Sequence, residues 1–587
     1  MKKKSNYKII NLIGRGQFGK VFAAIERQSG KLLALKELNI KYLSTSDFLR
    51  ELHFLVSLEH DRIASCHALE HYRNYRYLVM DYYEGGTLRD LINSSYKLTI
   101  HQSLQLGIDI LQGLQYAHAR GIIHRDIKPE NILLKLENNS YTAHISDFGI
   151  AKLYRDNLKM NMGNTGSPAY MSPEQFYGQY SYSCDLYAVG IILYELIVGE
   201  RPFSGMPKQL ISAHINQPVT IPNNVPFMVR RAIAKSLQKL PQHRFRDASA
   251  MVRALELAKD ILPTDYSLTV AVPPKRSHSL NLLSTTSLSK SVERLATAER
   301  LIYLGTKDCL EIVCRQDDSL DRAIAQCSIL LDNPIQQIET KSTGCFITTQ
   351  SSLYYLPFDT TSEQFRFFSQ TFLPIISFPT NTLVSSIEPG GNWFTVSYLP
   401  YKSKTPTWEI YQLPNCQKLR SQVNRKRWHH LIALSNRYGL GIYINQKQHT
   451  EFHLFNNYGS WLANFTVRIE LQQVNYNPRF PERLLATEAN NPDAVIVITL
   501  KPFHFKRIQI KTTPVIITSC PQGYLISDRT NNLIFIDGKD LSVQQLQIPL
   551  SAETQITEIA SIDTRLLIAT TTASQYQLHQ LKTLLIS

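Results

Sequence analysis

His124-Arg125-Asp126-Ile127-Lys128-Pro129-Glu130-Asn131 decides how this chain is read, together with Asp147-Phe148-Gly149, sixteen residues past Asn131. The octapeptide sets a carboxylate, an amine and an amide within six positions. Asp126 can accept a proton from a hydroxyl, Lys128 can steady a phosphoryl group in flight, and Asn131 can ligate a metal. Asp147 adds a second carboxylate of the kind Mg²⁺ favours. Chance does not produce this octapeptide with that partner at that spacing.

Upstream lies Gly14-Arg15-Gly16-Gln17-Phe18-Gly19-Lys20-Val21. Glycines let backbone amides approach phosphate oxygens with no Cβ in the way. A dinucleotide-binding fold would need this turn to open a helix. Here it opens into the β-prone run from Val21 to Ile25, which fits a strand–loop–strand hairpin over phosphates. Lys36 follows on a third β-prone run, and Glu51 lies on a helix-like stretch with Leu52 and Leu55 on its face. Taken singly, each would be an ordinary surface residue. Paired, they make a directed cation for phosphates.

With these motifs in order, residues 7–260 resemble the protein kinase superfamily. The resemblance implies an α+β, bilobal fold over residues 1–262, with a β-rich N-lobe at about 7–83 and a helical C-lobe at about 84–262. It implies ATP and Mg²⁺ as cofactors, with Mn²⁺ an alternative ion. Asp126 is the implied catalytic base and Lys128 the charge-stabilising residue, with Lys36 and Glu51 as an ion pair and Asn131 and Asp147 as metal ligands. Around the nucleotide it implies Ile13, Gly14, Arg15, Gly16, Gln17, Phe18, Gly19, Lys20 and Val21 above, with Ala34 and Leu133 closing the adenine sandwich. Met80 would be the gatekeeper before a hinge at Asp81–Tyr83. Ser172-Pro173-Glu174 stands in the place of Ala-Pro-Glu; Glu174 would pair with Arg244, and Asp185 would hold the catalytic-loop backbone.

Lys128 two residues after Asp126 looks like the Ser/Thr branch, and the stretch from Gly166 to Glu174 is most similar to bacterial kinases of the eukaryotic-like type. Ser167 would bridge Asp126 and Lys128. Arg125 before the catalytic aspartate is the arrangement of kinases switched by activation-loop phosphorylation. Thr165 is the only Ser or Thr between Gly149 and Gly166, so it is the implied phosphosite, where a phosphate would meet Arg125 and Lys152. An unmodified loop residue is the alternative. The resemblance implies phosphoryl transfer from ATP to Ser/Thr hydroxyls of protein substrates in signalling, with autophosphorylation and a second copy of the chain as a candidate partner in trans.

At 587 residues the chain is too long for one core, and 43% hydrophobic residues against 19% charged describe an ordinary globular protein. The net charge of +15 invites a nucleic-acid reading. Yet residues 1–260 hold 33 Lys and Arg against 23 Asp and Glu, and the remainder 30 against 25, so no domain-sized basic stripe exists. The 8 cysteines show no metal-ligand spacing and read as reduced, mostly buried side chains. The N-terminus has no apolar leader, and the run from Leu186 to Val198 is shorter than the ~20 residues a bilayer requires and contains Glu195. A soluble, cytoplasmic protein is expected.

Strand-like runs are expected at 7–13, 21–26 and 32–38, and helices at 48–58, 103–119, 185–198 and 225–238. Residues 263–298, dense in Ser and Thr behind Pro273-Pro274, read as a flexible linker. Its hydroxyls, Ser277, Ser279, Ser284, Thr285, Thr286, Ser287, Ser289 and Ser291, would then be open to autophosphorylation. The kinase-like segment is expected to close its own core before this linker, so that residues 1–265 work alone.

From about 299 to 587 the pattern is all-β. Pairs of β-prone runs begin near Leu301, Cys345, Trp393, Leu431, Leu484, Tyr524 and Leu566, in steps of 44, 48, 38, 53, 40 and 42. Their mean of about 44 is close to one four-stranded propeller blade. A β-propeller of about seven blades is expected, with a β-sandwich pair or an open barrel as the alternative. Nothing in it looks catalytic. His429-His430 would point to opposite faces of a strand, and Trp393, Trp408, Trp428 and Trp461 read as core fillers. Sensing or recruitment, through a protein or a small ligand, is the expected role. A pseudokinase scaffold is the rival reading, and the complete set Lys36, Asp126, Asn131 and Asp147 argues against it.

Overall fold

The computed structural model describes residues 5–582 apart from 17–18, 39–57, 73–74, 95, 139, 149–167, 263–277, 299–300, 308, 316–322, 332, 342–343, 358–372, 380–381, 401–404, 414, 424–426, 502, 511, 551–553, 563–564 and 574. The chain forms two compact units, residues 1–271 with 501–509, and residues 272–500 with 510–587.

The first unit begins with β1 (Tyr7–Gly16), β2 (Gly19–Glu26), β3 (Leu32–Leu38), β4 (Cys66–Tyr72) and β5 (Tyr75–Asp81), an antiparallel sheet in the order β1-β2-β3-β5-β4. The three expected strands are present, and the first two reach further into the glycine turn, where Gly16 pairs with Gly19. Ala24, Leu33, Leu35, Tyr77 and Val79 form the sheet's buried face. The helix expected over 48–58, and with it Glu51, falls outside the described residues apart from Leu58.

Helices follow: α1 (Leu88–Ile92), α2 (Ile100–His118), α3 (Tyr182–Val198), α4 (Pro207–Asn216), α5 (Phe227–Ser236) and α6 (Ala248–Ile261). A two-stranded ribbon, β6 (Ile132–Glu137) with β7 (Ser140–Ile145), lies between α2 and α3 in sequence. Thr99 starts α2 with a reciprocal cap: its hydroxyl accepts from Gln102 N at 3.1 Å, and Gln102 Oε1 accepts from Thr99 N at 2.9 Å. The apolar run that composition flags in 186–198 is the interior of α3, buried along almost its whole length. Gly190 makes that burial feasible, since a Cβ there would stand 2.2 Å from Ser236 Oγ of α5. Among the described residues, no helix is long and apolar enough to cross a membrane.

In the second unit, β8 (His278–Ser279), β9 (Asn281–Leu288) and β10 (Arg294–Ala298) lie inside the stretch that reads as a linker. That expectation is corrected here: of its hydroxyls, Ser279, Ser284, Thr285, Thr286 and Ser287 belong to strands. β9 pairs antiparallel with Tyr576–Lys582, and Thr285 Oγ1 lies 2.9 Å from His579 Nδ1. Ser and Thr suit a half-exposed edge strand as well as a linker, and composition alone cannot separate the two.

Seven consecutive sheets follow among the described residues, antiparallel except where β8 joins the sixth as a parallel edge strand. Their second strands begin at 301, 344, 393, 438, 483, 523 and 565, steps of 43, 49, 45, 45, 40 and 42. Six of the seven expected repeat starts fall on these strands. Leu431 instead lies on the first strand of the fourth sheet, His430–Ala433, which explains the uneven expected steps of 38 and 53.

Neighbouring sheets bury their faces against each other, first on second around Tyr303 and Ile347, second on third around Phe346 and Phe394, third on fourth around Trp408 and Phe455, sixth on seventh around Leu525 and Ile568. Tyr476 donates to Leu434 O at 2.6 Å between the fourth and fifth, and Asn477 to Cys520 O at 2.9 Å between the fifth and sixth. The seventh then meets the first. Ile302 and Leu304 pack on Leu567 and Ala569, and Thr297 Oγ1 donates to Ser561 O at 2.8 Å. Trp393, Trp408 and Trp428 are core residues as expected, whereas Trp461 is 44% exposed and stacks on Trp408 at 5.1 Å.

Glu558, on the first strand of the seventh sheet, generates a test. Burial pushes its carboxyl up to about 7, with Arg294 pulling weakly the other way. The folded chain therefore holds a proton that the unfolded chain releases near its ordinary value, and stability falls as pH rises between the two. Glu558→Gln removes this slope. From about pH 5 to about pH 8 the wild-type unfolding free energy is expected to drop by about 1–3 kcal/mol relative to the variant in denaturant melts. Parallel curves would overturn the assignment.

Candidate active site

The loop that carries Asp126 is fixed from beneath. Asp185, in the first turn of α3 and 1% exposed, accepts from the backbone N–H groups of His124 and Arg125 at 2.9 Å each, and its Oδ2 lies 2.9 Å from His118 Nε2. Arg125 has φ +68°, a left-handed conformation that costs a non-glycine residue of order 1 kcal/mol. Those bonds, with Gln175 Nε2 donating to Arg125 O at 3.1 Å, hold it there.

Asp126 is thereby presented to two donors. Lys128 Nζ reaches its Oδ2 at 2.8 Å, and Asn131 Nδ2 donates to its backbone O at 2.8 Å and to Oδ2 at 3.1 Å. A 3₁₀ turn over Pro129–Asn131 makes this reach feasible. Asp147 also has a positive φ, +67°, and forms an ion pair with Lys36 of β3. Burial pushes the Asp147 carboxyl up, but the Lys36 ammonium, by charge and by hydrogen bond, outweighs it and holds the group below its ordinary value. It is ionised at neutral pH. Next to it, Phe148 packs edge-on against His124 at 4.7 Å, and His124 Nε2 donates to Ser146 O at 2.9 Å.

Lys36, Lys128, Asn131 and Asp147 line one cavity of about 960 Å³, whose apolar walls include Ile13, Val21, Ala34, Met80 and Leu133. Gly14, Arg15, Gly19, Asp81 and Tyr83 line it too, while Gly16 and Lys20 flank the glycine turn in β1 and β2. Asp126 joins the cavity through its bonds to Lys128 and Asn131. Gln17, Phe18, Glu51, Thr165, Ser167 and Lys152 lie outside the described residues; among those described, Lys36 pairs with Asp147.

Asn131 and Asp147 offer one neutral and one anionic oxygen donor on a water-accessible wall. That set suits a hard divalent ion completed by phosphate oxygens and water. Among the described residues there is no cluster of three or more His, Cys, Asp or Glu side chains for a metal.

Two features had no sequence signal. Arg89 of α1 donates from Nε to Glu130 and from Nη1 to Glu195, both at 2.9 Å, and also bonds Tyr170. It ties the loop that carries Asp126 to α3 across partners 41 and 106 residues away. The other is the strand Phe503–Gln509, whose residues His504, Phe505 and Lys506 line the same cavity.

Residues 7–266 match the protein kinase domain family. This segment is a protein kinase domain. The chain is 32% identical over 266 residues to a probable serine/threonine-protein kinase of Clostridium perfringens, covering 43% of this chain and 38% of that protein. It is 32% identical over 288 residues to the serine/threonine-protein kinase PrkC of Bacillus subtilis (46% and 44%), and 31% over 307 residues to PknD of Mycobacterium tuberculosis (50% and 45%). The chain thus spans less than half the length of these curated relatives.

The kinase domain also has the expected pair between Glu174 and Arg244, bidentate at 2.7 and 2.8 Å. Burial raises the Glu174 carboxyl, and Arg244 more than offsets it. Arg244→Ala leaves that carboxylate buried without its partner, which costs about 3–5 kcal/mol. Urea unfolding of the full chain should show the kinase-domain transition shifted by that amount. A loss under about 1 kcal/mol would mean the pair is solvated.

Proposed function

We propose that this chain is a serine/threonine protein kinase that transfers the γ-phosphoryl group of ATP to Ser or Thr hydroxyls of protein substrates. The observation that carries the reading is the Asp126 carboxylate, held by Lys128 and Asn131 beside a cavity that also contains the Lys36–Asp147 pair. In this reading Asp126 accepts the proton of the substrate hydroxyl as its oxygen bonds the γ-phosphorus, and the bond to the bridging oxygen breaks to leave ADP. Lys128 neutralises charge on the group in transfer, and Lys36 fixes the nucleotide phosphates. A divalent ion, Mg²⁺ or Mn²⁺, held by Asn131 and Asp147 would neutralise the phosphates. Ile13, Val21, Ala34 and Leu133 enclose the adenine, behind Met80.

The seven-sheet region is read as a closed β-propeller that senses a signal or recruits a partner. Contact of the seventh sheet with the first supports closure, as does β9, which brings the start of the repeat region to its last sheet. A ring covers the two sheet faces that the ends of a row would leave open, and leaves only short, protected strand edges. Autophosphorylation at Thr165 is part of the proposal, on the ground that a phosphate there could meet Arg125 and Lys152.

Incubation with radiolabelled ATP, Mg²⁺ and a protein substrate tests the chemistry. Asp126→Ala should lower turnover by about 10²–10⁴-fold. Equal turnover in the two proteins would reject it. Thr165→Ala should lower activity, with mass spectrometry of the wild type locating phosphate at Thr165. Full activity in that variant would refute the switch.

A further inference from the structure

The strand Phe503–Gln509 belongs to the first unit, although the rest of that unit ends at residue 271. Within that unit it touches two pieces of the proposed nucleotide cleft. At the expected hinge, Phe505 N donates to Glu84 O at 2.9 Å, and the Tyr82 hydroxyl donates to Phe503 O. The His504 ring covers Gly86, which has φ +71°, and a Cβ at Gly86 would come within 2.8 Å of the imidazole. At the β6–β7 ribbon, Arg507 is fully buried. Its guanidinium donates to Ser140 O and, at 2.7 Å, to Glu137 O, and stands 4.8 Å over the Tyr141 ring.

This is a built contact. A buried guanidinium is costly unless its donors find acceptors, and here main-chain carbonyls of the ribbon turn accept from both terminal nitrogens. The ribbon carries Leu133, one wall of the proposed base site, and the hinge at Asp81–Tyr83 lines the same cavity. One strand bonded to both sets their separation.

We propose that residues 503–509 are a working part of the nucleotide site, with Arg507 as a positioning residue that fixes the hinge against the β6–β7 ribbon. The inference rests on the nucleotide reading of the cavity. It also changes one expectation from the sequence: a chain cut at residue 265 loses this strand, so full nucleotide affinity belongs to the whole chain.

Full-length wild type, Arg507→Ala, Arg507→Lys and Tyr82→Phe are compared by calorimetric titration with Mg·ATP and by steady-state kinetics. If wild type binds no Mg·ATP, the nucleotide reading fails. If it binds, Arg507→Ala should raise Kd and the KM for ATP about tenfold with kcat within about twofold, since a positioning contact is worth about one hydrogen bond to a charged group. Arg507→Lys should fall in between, and Tyr82→Phe should shift KM about two- to threefold in the same direction. Unchanged Kd and KM in folded Arg507→Ala would overturn the proposal, as would equal losses in kcat and in nucleotide affinity. If Arg507→Ala does not fold, an unchanged KM in Tyr82→Phe overturns it.

Discussion

Asp185 presents one carboxylate to two successive backbone amides, at 2.9 Å from each, in a place where water has almost no access. A carboxylate so buried is tolerated only because charge-assisted hydrogen bonds replace its hydration. The exchange gives the loop a fixed direction. Arg125 is forced left-handed, and the next residue, Asp126, turns its side chain to Lys128 and Asn131. The geometry around Asp126 is therefore a consequence of α3, since Asp185 sits in that helix's first turn and the helix is locked by its buried length. Loosening α3 would reach the site through this one group.

The kinase domain was legible because its chemistry is local. Asp126, Lys128 and Asn131 fall within six positions, and phosphoryl transfer constrains their types and spacing together. Leu32–Leu38 was read to the residue, because a strand buried on both faces shows as an apolar run bounded by turns. The second unit was legible as a rhythm only. Its seven repeats share a length and no chemistry, so one start slid from Tyr438 to Leu431, an apolar run one strand too early.

What the sequence hid is long-range. Arg89 finds Glu130 and Glu195 through folding, and no spacing in the chain pairs the arginine with either. Arg507 is still less visible: a basic residue in a β-prone run reads as a solvated strand edge, and the carbonyls that bury it lie at Glu137 and Ser140, some 370 residues earlier. Backbone carbonyls have no residue type, so no spacing in the chain can announce them. Domain boundaries drawn from composition share this blindness, because they assume that a unit is one continuous stretch.

The serine-rich segment shows the same error from the other side. Its hydroxyls look available because Ser and Thr without aromatics suggest an open chain. In the structure Ser284 to Ser287 lie on β9, where Thr285 meets His579 and the backbone is hydrogen-bonded to Tyr576–Lys582. A kinase cleft takes an extended peptide whose backbone is free. Phosphate on these residues would therefore require β9 to leave its sheet, at the cost of a ladder of bonds and of the packing around Leu288. Autophosphorylation there would report an opened seventh sheet, whereas phosphate at Ser289 or Ser291, past the end of the strand, requires no such opening.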